Sequence, residues 1–238
     1  MAKGDQHQSR LNEPGQEVTP QFSALFKPMS NVSITFSPTL DFAHSNQQYD
    51  TAVAAVNLPE FYNQRYIFAS INQTTISLDT RIDIAFTPTL TLDVYAQPFL
   101  GNGHYYAFSQ FDHPRQLHKS VFGRDVGSIA SLGNDLGYCI DPTGTPGTVP
   151  SCGGSGTGSD AFIIGNPDFT TRSLRGNAVL RWEYLPGSTL FLVWQQTRSN
   201  NILFGDAANP QFNRDQAALL QAPANNIFVI KVAYWLGR

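Results

Sequence analysis

The chain has 238 residues and a mass of 26.2 kDa, room for one large domain or one and a half ordinary ones. Only 14% of its residues are charged and the net charge is -3, which excludes the basic excess of a nucleic-acid binder. With 41% hydrophobic and 12% aromatic residues it is not a disordered chain.

No apolar run is longer than five residues, as at Ala52–Val56 or Leu190–Trp194. A transmembrane helix needs roughly 18, so no helix crosses a membrane, while strands remain able to. Residues 1–16 form a polar segment in which His7 stands alone, with no apolar core of a secretory signal. Two readings follow as expectations: the sequence starts here artificially, or the chain is the downstream part of a longer protein.

From there on, alternation with period two dominates, the signature of half-buried strands. Phe22, Ala24 and Phe26 end one strand before a turn at residues 28–31. Val32, Ile34, Phe36, Leu40 and Phe42 share a face in the next. Ile76, Leu78, Ile82, Ile84 and Phe86 follow, and after the turn at 87–89 come Leu90, Leu92, Val94 and Ala96. Leu174, Ala178, Leu180, Trp182 and Tyr184 lead through the turn at 186–188 into Leu190, Leu192 and Trp194. Phe228, Ile230, Val232, Tyr234 and Leu236 mark a last strand. Side chains alternate across a strand, and the charged residues of these segments, Asp41, Asp79, Arg81, Asp83, Asp93, Arg175, Arg181, Glu183 and Lys231, all fall on the odd-numbered face.

Such amphipathic strands suit a soluble sandwich as well as a membrane barrel. Two features favour the barrel. The alternation runs over about 11 residues, the length a membrane-spanning strand needs, where globular strands average about 5–6. Tight turns also alternate with long connections near 46–61, 101–168 and 199–224, the short-turn, long-loop asymmetry of outer-membrane barrels. Trp182, Tyr184 and Trp194 are placed as an interfacial aromatic girdle. The expected fold is all-β: the C-terminal part of an antiparallel transmembrane β-barrel, about seven long strands over residues 17–238. Its turns would be periplasmic, and its long extracellular loop would lie at about 101–168. Seven is odd, and bacterial single-chain barrels are normally even, so upstream strands of the same parent protein are expected as partners, with outer-membrane lipid.

Three stretches carry a resemblance. They are Tyr66–Arg81 running into Tyr95–Phe99, then Arg172–Ser188 with its core Arg181-Trp-Glu-Tyr-x-Pro-Gly-Ser188, and the ending Asn226–Leu236. Together they resemble the C-terminal barrel of an uncharacterised bacterial family, from about residue 20 onward. Full-length members of that family look like a family-nine-type carbohydrate-binding module followed by an outer-membrane barrel. The resemblance implies an outer-membrane location and a loose link to glycan; it brings no catalytic residues and no cofactor.

Motifs for chemistry are sparse. Cys139 and Cys152 lie in a Gly/Pro/Ser/Thr-rich stretch and read as a disulfide closing it. Asp79 and Asp83 are four apart on one strand, about 13 Å by the strand rise, too far for paired carboxylates on a glycoside without a partner strand. They read as an ion network with Arg175, Arg181 and Glu183 lining a lumen. His104, His113 and His118 match no zinc spacing, and Asp135, Asp141 and Asp160 match no calcium-loop register; no metal is expected. The glycine-rich run after Cys152 is a flexible loop rather than a phosphate cradle. Tyr105, Tyr106, Phe108 and Phe111, beyond the strand ending at Leu100, are candidate glycan contacts on that long loop. The function expected is a pore or surface-binding platform of the outer membrane, linked to glycan binding or uptake. The alternatives are a soluble secreted carbohydrate-binding module and, with less support, a glycan hydrolase.

Overall fold

The computed structural model describes residues 15–56, 58–133, 136–152, 160–203 and 212–236; His7, Asp135 and residues 153–159 of the glycine-rich run lie outside them. The chain is all-β and antiparallel in its pairings, with one α-helix among the described residues. The strands are β1 (Gly15–Val18), β2 (Ala24–Met29), β3 (Val32–Ala54), β4 (Gln64–Thr87), β5 (Leu90–Phe111), β6 (Lys119–Val121), β7 (Ser128–Ser131), β8 (Tyr138–Asp141), β9 (Phe162–Ile164), β10 (Phe169–Leu185), β11 (Ser188–Leu203) and β12 (Ala224–Ala233). Helix α1 covers Phe212–Gln221.

Nine strands form the main sheet in the order β1-β3-β4-β5-β10-β11-β12, with β2 also on β3 and β6 also on β5. β1 and β2 lie end to end along β3, so the sheet has seven ranks, as the alternation predicts. Pro20 interrupts the first rank, because it has no amide to give the ladder. Its carbonyl still accepts from Leu40 N at 3.2 Å. No closed barrel is found: β12 and the β1/β2 rank are the two ends of the sheet and do not pair with each other.

Tight turns fall at the three expected places. The opposite strand ends run further than the alternation indicated. β3 continues to Ala54, β5 to Phe111 and β11 to Leu203, so the first eleven residues of the expected 101–168 connection are sheet. The last strand ends at Ala233 rather than Leu236. There Trp235 N donates to Ser188 Oγ at 3.0 Å, and the indole covers Gly187, whose φ of 79° in the β10–β11 turn suits glycine.

Register explains why face and residue parity coincide over most of the sheet. Val32 lies opposite Ile84, Ile84 opposite Leu92, Leu92 opposite Leu180, Leu180 opposite Leu192, and Leu192 opposite Ile230. Two residues on, the row is Ile34, Ile82, Val94, Ala178, Trp194 and Phe228. A one-residue slip anywhere would put apolar residues beside charged ones.

The buried core sits elsewhere. Ile67 and Ala69 of β4 and Phe108 of β5 pack with Phe122, Ile140 and Ile164. The last two belong to the separate three-stranded sheet β7-β8-β9. That small lobe lies on the odd-numbered face of β4, at the long-loop end, and it is held by the bond between Cys139 and Cys152, whose Cα atoms are 5.8 Å apart.

Candidate functional site: the odd-numbered face and the lobe above it

All nine charged residues expected on one face are there, on neighbouring strands. Their carboxylates mostly take hydroxyl donors instead of guanidinium groups. Asp41 accepts from Thr19 Oγ1 at 3.0 Å, Asp79 from Tyr95 Oη at 2.7 Å and Asp83 from Ser33 Oγ at 3.0 Å. Arg181 pairs with Glu183 of its own strand at 3.6 Å, and Glu183 Oε1 also accepts from Gly187 N at 3.1 Å. Lys231 Nζ lies 5.8 Å from the Phe191 ring centroid. The expected ion network is thus a lattice of short polar contacts with one ion pair inside a strand.

One pairing was invisible in the sequence. Asp83 lies directly opposite Asp93, in the cross-strand position where Cβ atoms are about 4.5–5.5 Å apart. The partner that Asp83 needs for a carboxylate pair is therefore not Asp79, four residues away, but a residue whose proximity only the β4–β5 register creates.

Above these charges the odd-numbered face passes under the lobe. Asp50 occupies a bulge of β3, between the pairs Tyr49–Phe68 and Thr51–Ile67. With Thr51 and Val53 it faces Ile163–Pro167 across a cleft of about 370 Å³. Burial pushes the Asp50 carboxyl up to about 6. Asp168, 5% exposed, accepts from Tyr105 N at 2.7 Å and holds His104 Nδ1 at 2.9 Å. Its own amide donates to Asn166 Oδ1 at 3.0 Å. Burial raises the Tyr105 hydroxyl pKa, and the negative charges of Asp50 and then Asp168 raise it further. Nothing in the alternation pointed to Asp50 or Asp168, because both lie where the strand pattern breaks.

The four candidate glycan contacts are strand residues of β5, not loop residues, and they do not form one surface. Ala107 adopts a φ of 51° in a bulge where Phe68 pairs with Ser109 and Ser70 with Tyr106. The extra residue reverses the faces beyond it. Phe108 is 2% exposed in the core and Tyr105 packs against it. Tyr106 lies on the opposite face between the rings of His44 and His104, at 6.3 and 6.1 Å. Phe111 meets Phe68 edge-on at 4.8 Å.

The histidines do not converge either. His104 is held by Asp168 and His118 by Asp112, and His113 joins neither pair. Among the described residues no group of three or more His, Cys, Asp or Glu side chains is placed to hold a metal. Asp141 accepts from the Thr143 amide and hydroxyl in a turn, at 2.9 and 2.8 Å.

The even-numbered face is the other half of the site. It is free of charge from Val32 to Phe42 on β3, from Thr74 to Phe86 on β4 and from Leu174 to Tyr184 on β10. Its rings are open to the surroundings: Phe228 is 75% exposed, and Trp194 stacks on it at 6.4 Å. Trp182 meets Tyr184 at 6.1 Å near the tight turn. Trp194 pairs with Ala178 and so lies two rows further in, which separates it from the girdle in which it was expected. On β11 the band is shorter, ending at Arg198, whose Nε donates to Gln196 and whose Nη1 reaches the Leu220 and Ala222 carbonyls at the C-terminal end of α1.

No family model, no characterised protein and no solved structure matches the chain.

Proposed function

We propose that the chain is a segment of an outer-membrane β-barrel, with its even-numbered face toward lipid and its odd-numbered face lining a polar lumen. The observation that carries this reading is the register of two even-numbered rows that are apolar on all six strands, from Val32 to Ile230 and from Ile34 to Phe228, continued without charge on β3, β4, β5 and β10 and covered by no second sheet among the described residues. Val32 to Phe42 spans ten residue steps, about 33 Å of strand at the usual rise. At a tilt of about 40° that is a band about 25 Å tall, the apolar height of such barrels. A soluble sandwich would place its second sheet on the apolar face. Here the second sheet, β7-β8-β9, packs on the odd-numbered face instead, which suits a long loop folded inward over a lumen.

In this reading further strands of the parent protein pair with the β1/β2 rank and with β12, since exposed edges are not tolerated in lipid. The lobe narrows the lumen at its extracellular end, and the charged residues below it govern what passes. A link to glycan rests on the family resemblance alone, and the separated aromatics of β5 add nothing to it.

Depth-resolved fluorescence quenching tests the assignment of faces. With the protein in vesicles whose acyl chains carry bromine near the bilayer centre, Trp194 quenches more strongly than Trp182. Moving the bromine toward the headgroups reverses the order. Single-tryptophan variants that are insensitive to brominated chains at every depth would refute a lipid-facing even-numbered face.

A further inference from the structure

The charges of the odd-numbered face are sorted by sign across the sheet. Below the lobe, where Asp50 and Arg65 lie, Asp41 on β3, Asp79 and Asp83 on β4 and Asp93 on β5 share their wall with a single cation, Arg81. Arg175 and Arg181 on β10 and Lys231 on β12 share theirs with a single anion, Glu183, which the 3.6 Å contact with Arg181 largely neutralises. The β3–β5 wall thus carries a net charge of three negative and the β10–β12 wall of two positive. At the outer rank Glu17 and Lys27 offset each other.

The same rows show where the two walls meet. Arg175 lies opposite Gln97 on one side and Thr197 on the other, and Tyr95 lies between Arg81 and Asn177. Along the β5–β10 seam these neutral polar groups give way to Val179, which lies opposite Asp93, and to Thr91, which lies opposite Arg181. Asp93 and Lys231, with β10 and β11 between them, stand about 14 Å apart along the sheet at about 4.8 Å per strand, while Arg181, opposite Thr91, stands one strand and two residues from Asp93. Curling the sheet turns these walls toward each other. A channel with low-dielectric walls focuses such a field instead of letting bulk water screen it.

From this sorting, and resting on the barrel reading above, we infer that the lumen carries a transverse field and favours small solutes that bear both charge signs, amino-acid-like zwitterions, over neutral or singly charged solutes of the same size. A zwitterion crosses with its carboxylate toward Arg175, Arg181 and Lys231 and its ammonium toward Asp79, Asp83 and Asp93, so both of its ends are met. A singly charged solute gains from one wall alone, and a neutral one from neither.

The test is osmotic swelling of liposomes that hold the full-length protein, with glycine as the zwitterion, glycolamide as a neutral isomer and glycolate as an anion of similar size. The inference predicts that glycine enters faster than glycolamide by roughly threefold to tenfold, at or below the low end of the enrichment that focused fields give fully charged solutes. Asp79→Asn with Asp83→Asn and Asp93→Asn, or separately Arg175→Gln with Arg181→Gln, brings glycine down to the glycolamide rate. Glycolamide entry stays unchanged, which shows that the pore is intact. Glycolate entry rises in the first variant and falls in the second. Equal entry of glycine and glycolamide in the unaltered protein overturns the inference while leaving the barrel standing. No swelling with any solute, in vesicles shown to contain the protein, overturns the barrel reading and the inference together.

Discussion

At the scale of single residues, the most consequential side chain is one that a strand pattern cannot single out. Asp50 sits in a bulge with its carboxyl raised to about 6 by burial, so the folded state holds its proton up to a higher pH than the unfolded chain, whose value is 3.8. Stability is therefore greatest below that lower value and falls as pH rises through the window from 3.8 to about 6. Asp50→Asn removes this cost, raising stability at pH 7 by about 1 kcal/mol after discounting for the water its half-exposed side chain still meets. Unfolding by denaturant at pH 4 and pH 7 checks it, because the variant loses the difference between the two that the parent shows. A variant as pH-dependent as the parent would assign the dependence to another group. Residue parity was sufficient for Asp41 through Lys231, where one rule holds over uninterrupted ladder. It failed at Phe108, because the bulge at Ala107 inserts one residue and turns every later side chain over. The Asp83–Asp93 pair was hidden for a different reason: opposition across strands depends on register, which a single segment does not contain.

At the scale of elements, the even-numbered band and the lobe answer to different forces. Val94 lies in the second row of the band from the tight turns, with Ile34, Ile82, Ala178, Trp194 and Phe228. Val94→Arg costs about 1–3 kcal/mol, between the interfacial and the midplane penalty for a lipid-facing cation in such barrels. Ser77→Arg, on the odd-numbered face of β4 opposite Thr39 and Phe99, costs within about 0.5 kcal/mol. Refolding into bilayers across a denaturant series measures both, and equal costs would contradict the assigned faces. The lobe depends on its covalent tie, which closes a loop with a sequence separation of 13. Joint replacement, Cys139→Ser with Cys152→Ser, costs the lobe about 3 kcal/mol. Limited proteolysis reads this as cleavage within 112–168 while the long strands survive; simultaneous loss of the sheet would show that the lobe holds the whole fold. The long strands, their turns and the disulfide were legible because each has a local signature. The lobe was not, since its three strands have only three or four residues each, too short for alternation to stand out. The extended ends of β3 and β5 were hidden by bulges that interrupt the period.

At the scale of the whole molecule, the sheet has an apolar face with no second sheet over it and two free edges. Every residue of β12 is exposed, including Phe228, Ile230 and Val232 of the even-numbered face. Water tolerates such a surface poorly, because a contiguous apolar patch of this extent marks an interaction site or an aggregation hazard. In the proposed function a bilayer would supply what the even-numbered face lacks, and further strands what the edges lack. The measurement that tests this most directly is fractionation of cells that make the full-length protein, followed by electrophoresis of the outer-membrane fraction with and without boiling. A closed, detergent-resistant barrel appears in that fraction and migrates differently before and after heating. Recovery in the soluble periplasmic fraction, with identical migration under both conditions, would contradict it.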